Sequence, residues 1–319
     1  MYDFHTHFIT PEVIKWVKEN KKMIRTKWEK RNSQSEFLII NDTWGFELKE
    51  EFINPNLYLN IQKQVGVHFS IVSPVPQLFL YNFPPEITAD LARIYNYSLA
   101  NWAKKHSSRL SALATIPLNH PEKAAEELDY AMNTGMVGAI IGPGVGEKLL
   151  SDPDFDPFWS EANKLNAIIF IHPLLNKEER IRKRKMPNLI GIPWETTISA
   201  VDLILSGHLD RYPNVKILLA HGGGFLPYQI GRLDKGYSMW KDVTSHLQSP
   251  PSTYLKRFWY DSVLWNDSSL AFLQGIAGEN QIVPGSDFPF DLSTWPPKWQ
   301  DDRGARTLLP MDIVVQNHE

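Results

Sequence analysis

Apolar residues in this chain fall into short, mostly unbroken runs, separated by longer stretches in which they recur at helical spacing. Eight runs read as strands. The first four are "YDFHTHF" (2–8), "VHFSIVSPV" (67–75), "LSALATIPL" (110–118) and "VGAIIGPGV" (137–145). The others are "AIIFIHPLL" (167–175), "VKILLAHGG" (215–223), "RFWYDSVLW" (257–265) and "QIVPGSDFPF" (281–290). Several are continuously hydrophobic rather than alternating, the pattern of parallel strands covered by helices on their outer side. The intervening segments carry helix punctuation. "HPEKAAEELDYAMNTG" opens on Pro121 and acidic residues and closes at Gly135. "PPEITADLARIYNYSLANWAKKH" ends on basic residues, and "ETTISAVDLILSGHLDRYP" is apolar over a broad face and stops near Pro213. Eight strands with helices between most of them predict α/β architecture, a single (β/α)8 TIM barrel spanning 1–319.

Two regions depart from that alternation. Residues 9–60 form a long insertion after the first strand, with a helix in "TPEVIKWVKENK" and a further apolar run, "EFLIINDTWGFEL". It is expected to fold near the barrel mouth. The tail, 291–319, shows no apolar helical pattern and no evident means of covering the last strand.

Polar groups sit where the strands end. His5 and His7 are two residues apart, so on a strand they share a face. His172 closes "AIIFIHP", His221 closes "KILLAHGGG" and Asp287 closes "QIVPGSDFP". Any one of these reads as an ordinary hydrogen-bonded strand end. Together, on separate strands, they place ligand and base side chains where barrel enzymes put their chemistry. Closure of the barrel brings strand eight to strand one, so Asp287 can meet His5 and His7 while His172 approaches from the opposite wall. A cation held there relieves two imidazoles of poor solvation and mutual repulsion. His68, His106, His120, His208, His246 and His318 lie mid-strand, at helix ends, in loops or in the tail, and read as structural.

Composition narrows the possibilities. The chain has 319 residues, is 43% hydrophobic and carries a formal charge of -3, so no general basic field attracts nucleic acid. The basic cluster "KEERIRKRK" (177–185) is mixed in sign and reads as a solvated loop. There is no cysteine, which excludes disulfides, thiolate ligands and cysteine nucleophiles. No leader precedes the first strand, and no apolar run approaches the ~20 residues of a membrane helix. A soluble, cytoplasmic protein without a membrane partner is expected.

"FHTHF", "IHP", "ETT", "AHGGGFLPYQIGRLDKG" and "GSDFPF" together resemble the metal-dependent amidohydrolase superfamily. They are most similar to the branch of aminocarboxymuconate-semialdehyde decarboxylase and the benzoate-type decarboxylases, from residue 1 to about 290. The resemblance implies His5, His7, His172 and Asp287 as metal ligands and His221 as general acid/base. Two-metal members bridge their ions through a lysine or glutamate at the end of strand four. Here "AIIGPGVG" supplies neither, so one divalent ion is expected: zinc first, with manganese or iron as alternatives.

The chemistry implied is nonoxidative decarboxylation of a small unsaturated or aromatic carboxylic acid, with a metal-dependent hydrolase or hydratase as the alternative. A noncatalytic binding protein is a third reading, opposed by the intact ligand set. Arg232 matches a family arginine that can serve a neighbouring subunit's site, so a homodimer with Arg232 as carboxylate clamp is expected. The family's other substrate arginine aligns near Leu38, which argues against the muconate semialdehyde itself. Trp44, Trp194 and Phe290 are further pocket candidates, Phe288 and Phe225 weaker ones, and Glu195 reads as a supporting or helix-start residue.

Overall fold

The computed structural model of the protein describes residues 1–30, 36–41, 44–176, 178–310 and 313, and the Trp44 side chain lies outside the described set. Eight parallel barrel strands follow one another around a closed ring. They are β1 (Tyr2–His7), β2 (Phe69–Ser73), β3 (Leu110–Ala112 continued by Ala114–Thr115) and β4 (Gly138–Ile141). The ring continues with β5 (Ile168–Ile171), β6 (Lys216–Leu219), β7 (Phe258–Asp261) and β8 (Ile282–Val283). All eight coincide with the predicted runs.

Ladders join β1 to β2 and β2 to the first half of β3, while the second half of β3 pairs with β4 and the order then runs to β8. Leu113 breaks β3, and its amide still donates to Val72 in β2. The last seam, β8 to β1, is made less by ladder than by the turn after β8. The amides of Phe4, Asp287 and His7 donate to Pro284, His5 and Phe288 at 2.7 to 2.8 Å, and Thr6 bridges Phe288. Predicted strand eight therefore contracts to two ladder residues, because 284–290 turns across the mouth instead of continuing upward.

Helices start where proline or asparagine satisfies or removes free amides. Pro11, Pro55, Pro85 and Pro121 each open one, and Asn54 and Asn266 accept hydrogen bonds from the first turns they cap. In the helix Pro85–Lys105, Leu91, Tyr95 and Leu99 form one buried stripe against the barrel, and the Tyr95 hydroxyl donates to the Phe8 carbonyl at 2.6 Å. The predicted helix ending near Pro213 is instead two, Ile192–Leu205 and His208–Arg211. Gly207 between them adopts φ 68°, which an L side chain rarely does.

The insertion contains the predicted helix, Pro11–Glu19, and a three-stranded antiparallel sheet of Lys27–Lys30, Glu36–Ile40 and Trp44–Leu48. It lies beside the turn after β8: Phe46 and Phe52 pack on Phe290, and the Lys49 ammonium donates to the Pro289 carbonyl. The tail does cover the last strand. Arg303–Leu308 is a short helix on β8, where a Cβ on Gly304 would come within 2.0 Å of the Ile282 carbonyl oxygen. Gly304 and Ala305 let backbone meet backbone, and Lys216 donates to the Leu308 carbonyl. Contact of that kind leaves Leu308 as the one large apolar residue buried by the helix, too little to mark it in sequence. Residues 311, 312 and 314–319 lie outside the described set. No helix among the described residues is long and apolar enough to cross a membrane.

His208 is structural, as read from sequence, and its surroundings set a pH response. It is buried against Trp159 and Tyr212, with both ring nitrogens unpartnered among the described residues. Burial, and then Arg211, lower its pKa to about 3. The unfolded chain takes up this proton below its ordinary value near 6.5, and the folded chain does not. Stability is therefore lost as pH falls from about 6.5 towards 3, by at most ~1.4 kcal/mol per pH unit from this group. A His208→Phe variant should show a shallower fall in thermal midpoint between pH 6.5 and 5 than the native chain. Parallel curves would contradict the burial argument.

Candidate metal centre

Five polar side chains converge at the C-terminal end of the barrel. His5 and His7 leave the same face of β1, His172 follows β5, His221 follows β6 and Asp287 sits in the turn after β8. One ligand atom from each of His5, His7, His172 and Asp287 lies within 4.8 Å of all the others. All four residues are buried. The Asp287 carboxylate is 3.2 Å from His5 Nε2, 3.5 Å from His7 Nε2 and 3.8 Å from His221 Nε2.

Hydrogen bonds from the opposite ring edges aim these imidazoles. His7 Nδ1 pairs with the Pro74 carbonyl at 3.1 Å and His172 Nδ1 with the Pro173 carbonyl at 2.9 Å. His5 Nδ1 pairs with Asp261 Oδ2 at 2.5 Å. The inward Nε2 atoms of all three, and Asp287 Oδ1, are buried with no hydrogen-bond partner among the described residues. Four orphaned donors of lone pairs in one small volume is costly unless something positive occupies it. The residues present thus fit a divalent cation with three imidazoles and one carboxylate, outer edges already fixed.

Electrostatics point the same way. Burial opposes charge on His5, but Asp287 and Asp261 outweigh it and raise its pKa to about 10. Burial pushes His7 and His172 down, with the charge on His5 adding to the effect. Burial likewise opposes ionisation of Asp287, yet the surrounding histidines hold it well below the usual carboxylate range.

Two of the five sit on strained backbone. His221 has φ 53° and Asp287 φ 63°, both in the left-handed region. Gly222, Gly223 and Gly224 continue the turn at positive φ, and a Cβ on Gly224 would fall 2.2 Å from the Pro193 carbonyl oxygen. The three glycines are thus required by the turn that presents His221. Its ring is parallel to exposed Trp265 at 6.2 Å and edge-on to His172 at 5.5 Å.

The profile of the amidohydrolase family matches residues 2–313. The chain belongs to the amidohydrolase family. It is 29% identical over 296 residues, 91% of this chain and 82% of the relative, to the 2-amino-3-carboxymuconate-6-semialdehyde decarboxylase of Dictyostelium discoideum. It is 30% identical over 242 residues, 68% of this chain and 71% of the relative, to the gamma-resorcylate decarboxylase of Rhodococcus jostii. The fold is that of 5-carboxyvanillate decarboxylase from Novosphingobium aromaticivorans, solved with manganese and 4-hydroxy-3-methoxy-5-nitrobenzoic acid. That comparison has a TM-score of 0.78 at 19% identity and covers 99% of this chain and 92% of the other.

Other predicted positions of this amidohydrolase fare differently. Phe290 reaches the cluster, its ring 5.2 Å from that of His7, but its other neighbours are Phe46 and Phe52 of the insertion. Phe288 is buried against Trp295, as core packing, and Phe225 is exposed. A cavity of about 340 Å³ opens beyond β2, β4 and β5, starting two residues after His172. Its walls do not include the metal cluster itself, Trp194 or Phe290; the residue that the 192–205 helix contributes is Glu195. Arg232 is exposed on the helix Leu226–Met239 and does not line that cavity. Asp234, two residues further along the helix, accepts a hydrogen bond from the Ser252 amide.

Asp261 went unread in the sequence. It ends β7 as Asp287 follows β8, and that strand-end position in "RFWYDSV" was the available signal. Fully buried, it accepts from His5 and from the amides of His221, Gly222 and Val263 at 2.9 to 3.1 Å. One carboxylate therefore orients a candidate ligand and pins the turn that carries His221. Asp3, also unread, is buried and takes the Ser286 hydroxyl at 2.6 Å, with burial raising its pKa to about 7 against that bond. An Asp261→Asn protein should weaken metal binding about ten- to a hundredfold. Calorimetric titration with Mn2+ measures this, and native affinity in the variant would remove Asp261 from the metal's support.

Proposed function

We propose that this amidohydrolase is a metal-dependent carboxy-lyase that removes CO2 from a small aromatic or unsaturated carboxylic acid. The observation that carries this is the set of four buried, unpartnered ligand atoms with His221 at their edge. The curated relatives described above are decarboxylases, which favours loss of CO2 over hydrolysis or hydration.

His5, His7, His172 and Asp287 would hold one ion. Imidazole-rich coordination favours Zn2+, and the manganese in the structural neighbour keeps Mn2+ as the alternative. When bound, the ion supplies a Lewis acid that withdraws electron density from a carboxylate or an adjacent oxygen. The remaining steps belong to the protein. His221 holds a proton on Nε2 and delivers it to the substrate carbon that bears the carboxylate. The C–C bond to that carboxylate then breaks, CO2 departs, and the bonding pair stays on the ring or chain to restore conjugation. Trp265 keeps the His221 ring aligned, and the buried cluster limits competing water.

Arg232 is the proposed clamp for the substrate carboxylate. Because it is exposed and outside its own chain's cavity, that role requires the mouth of a second copy, hence a homodimer. Tyr228, on the same helix, is 80% exposed and supplies apolar area for such an interface. The absence of cysteine fits a reducing, cytoplasmic setting.

Metal-loaded protein offered benzoate-type and muconate-type acids should release CO2 and leave a product carrying hydrogen in its place. A product that has gained water would overturn the lyase reading. In the same assay, His221→Ala should keep its metal and lose about 10²–10⁴ in kcat. Arg232→Ala should lose roughly tenfold or more in kcat/KM. Near-native turnover in either variant would remove that residue's role.

A further inference from the structure

The main chain that carries two of the candidate ligands is held by a buried carboxylate that touches neither of their side chains. Asp3 stands two residues before His5 on β1 and is fully buried. Between Asp3 and Thr6 the ladder from β1 to β2 slips by one residue. Such a bulge re-aims the side chains it carries. His5 lies within the slip, and its amide donates to Asp3 Oδ1 at 3.2 Å.

The same carboxylate reaches across the closing seam to the turn after β8. The Ser286 amide donates to Asp3 Oδ1 at 3.2 Å, and the Ser286 hydroxyl donates to Asp3 Oδ2 at 2.6 Å. A more distant acceptor for that hydroxyl is the His5 carbonyl, at 3.2 Å. The Ser286 oxygen in turn accepts the Phe288 amide at 3.0 Å. Both chain neighbours of Asp287 are therefore tied to Asp3, one directly and one through the serine.

Asp287 between them has φ 63°, a conformation that an L residue keeps only where its surroundings over-determine it. The turn is also pressed onto its neighbours: a Cβ on Gly285 would lie 3.0 Å from that of His5 and 2.9 Å from that of Asp261. A carboxylate suits the junction because its two oxygens accept all three donors. An amide in its place has one acceptor oxygen and turns an NH2 group towards Ser286. Asp261 works differently, since it aims the His5 ring itself.

We infer that Asp3 is a positioning residue for the metal. Through Ser286 it fixes the separation of the His5 and Asp287 backbones and holds Asp287 in the left-handed conformation that turns its carboxylate to the imidazoles. This rests on the reading of the cluster as a metal site, and its test reads metal binding apart from turnover.

Metal-stripped native protein, Asp3→Asn and Ser286→Ala are titrated calorimetrically with Mn2+, and the thermal midpoint of each metal-free protein reports whether it folds. The visible absorption of Co2+-loaded samples follows ligand geometry, which a loss of stability alone does not move. Ser286→Ala removes a single hydroxyl and carries the test if Asp3→Asn does not fold. Each folded variant should bind Mn2+ about tenfold or more weakly, with an altered Co2+ spectrum. The double variant should lose about as much as the worse single one, because the two residues act as one relay. Native affinity or a native Co2+ spectrum in a folded variant, or losses that multiply in the double variant, would overturn the inference. A native chain that binds no Mn2+ would sink the metal site and this role with it. Binding that depends on Asp3, with no CO2 released from benzoate-type or muconate-type acids, would uphold the role and sink the lyase reading.

Discussion

Three imidazole nitrogens and a carboxylate oxygen buried together are the constraint around which this mouth is built. The Nε2 atoms of His5, His7 and His172 and one oxygen of Asp287 lie within 4.8 Å of each other, out of reach of water and of other partners. Such a grouping resists assembly through mutual repulsion and desolvation, and a divalent cation reverses both terms. Barrel closure enforces the meeting. The turn after β8 is bonded to the backbone of β1, which carries two of the histidines, so the seam that completes the fold also completes the cluster.

Around that centre, each imidazole is aimed by a bond on its far edge, and two of those bonds go to proline carbonyls that end strands. Pro74 and Pro173 stop the sheet where a ligand is needed and leave a carbonyl free to hold it. Asp261 does more, since the same carboxylate binds His5 and two amides of the turn bearing His221. Its reach joins the His5 side of the mouth to the His221 side. A shift in either is then felt by the other.

Much of this was legible in the sequence because barrel strands are short, apolar and ended by polar residues. His5, His7, His172, His221 and Asp287 were visible as ligand-type side chains closing apolar runs, and the structure brings all five together. Asp261 closes its run in the same way, but its strand "RFWYD" mixes aromatic and polar residues, which hides the boundary. The tail helix was illegible for the opposite reason: Gly304 and Ala305 pack backbone on backbone, without an apolar stripe. The cavity depends on residues from the segments that follow β2, β4 and β5, which no local pattern connects. Glu195 therefore read as a helix start, although it lines that wall, and Trp194 beside it does not.

The measurement that bears most directly on this account is metal stoichiometry. Protein stripped with a chelator is titrated calorimetrically with Mn2+, alongside a His172→Ala variant. The account predicts one ion per native chain and an affinity lower by about a hundredfold or more in the variant. No saturable binding to the native chain, or equal binding by the two, would contradict it.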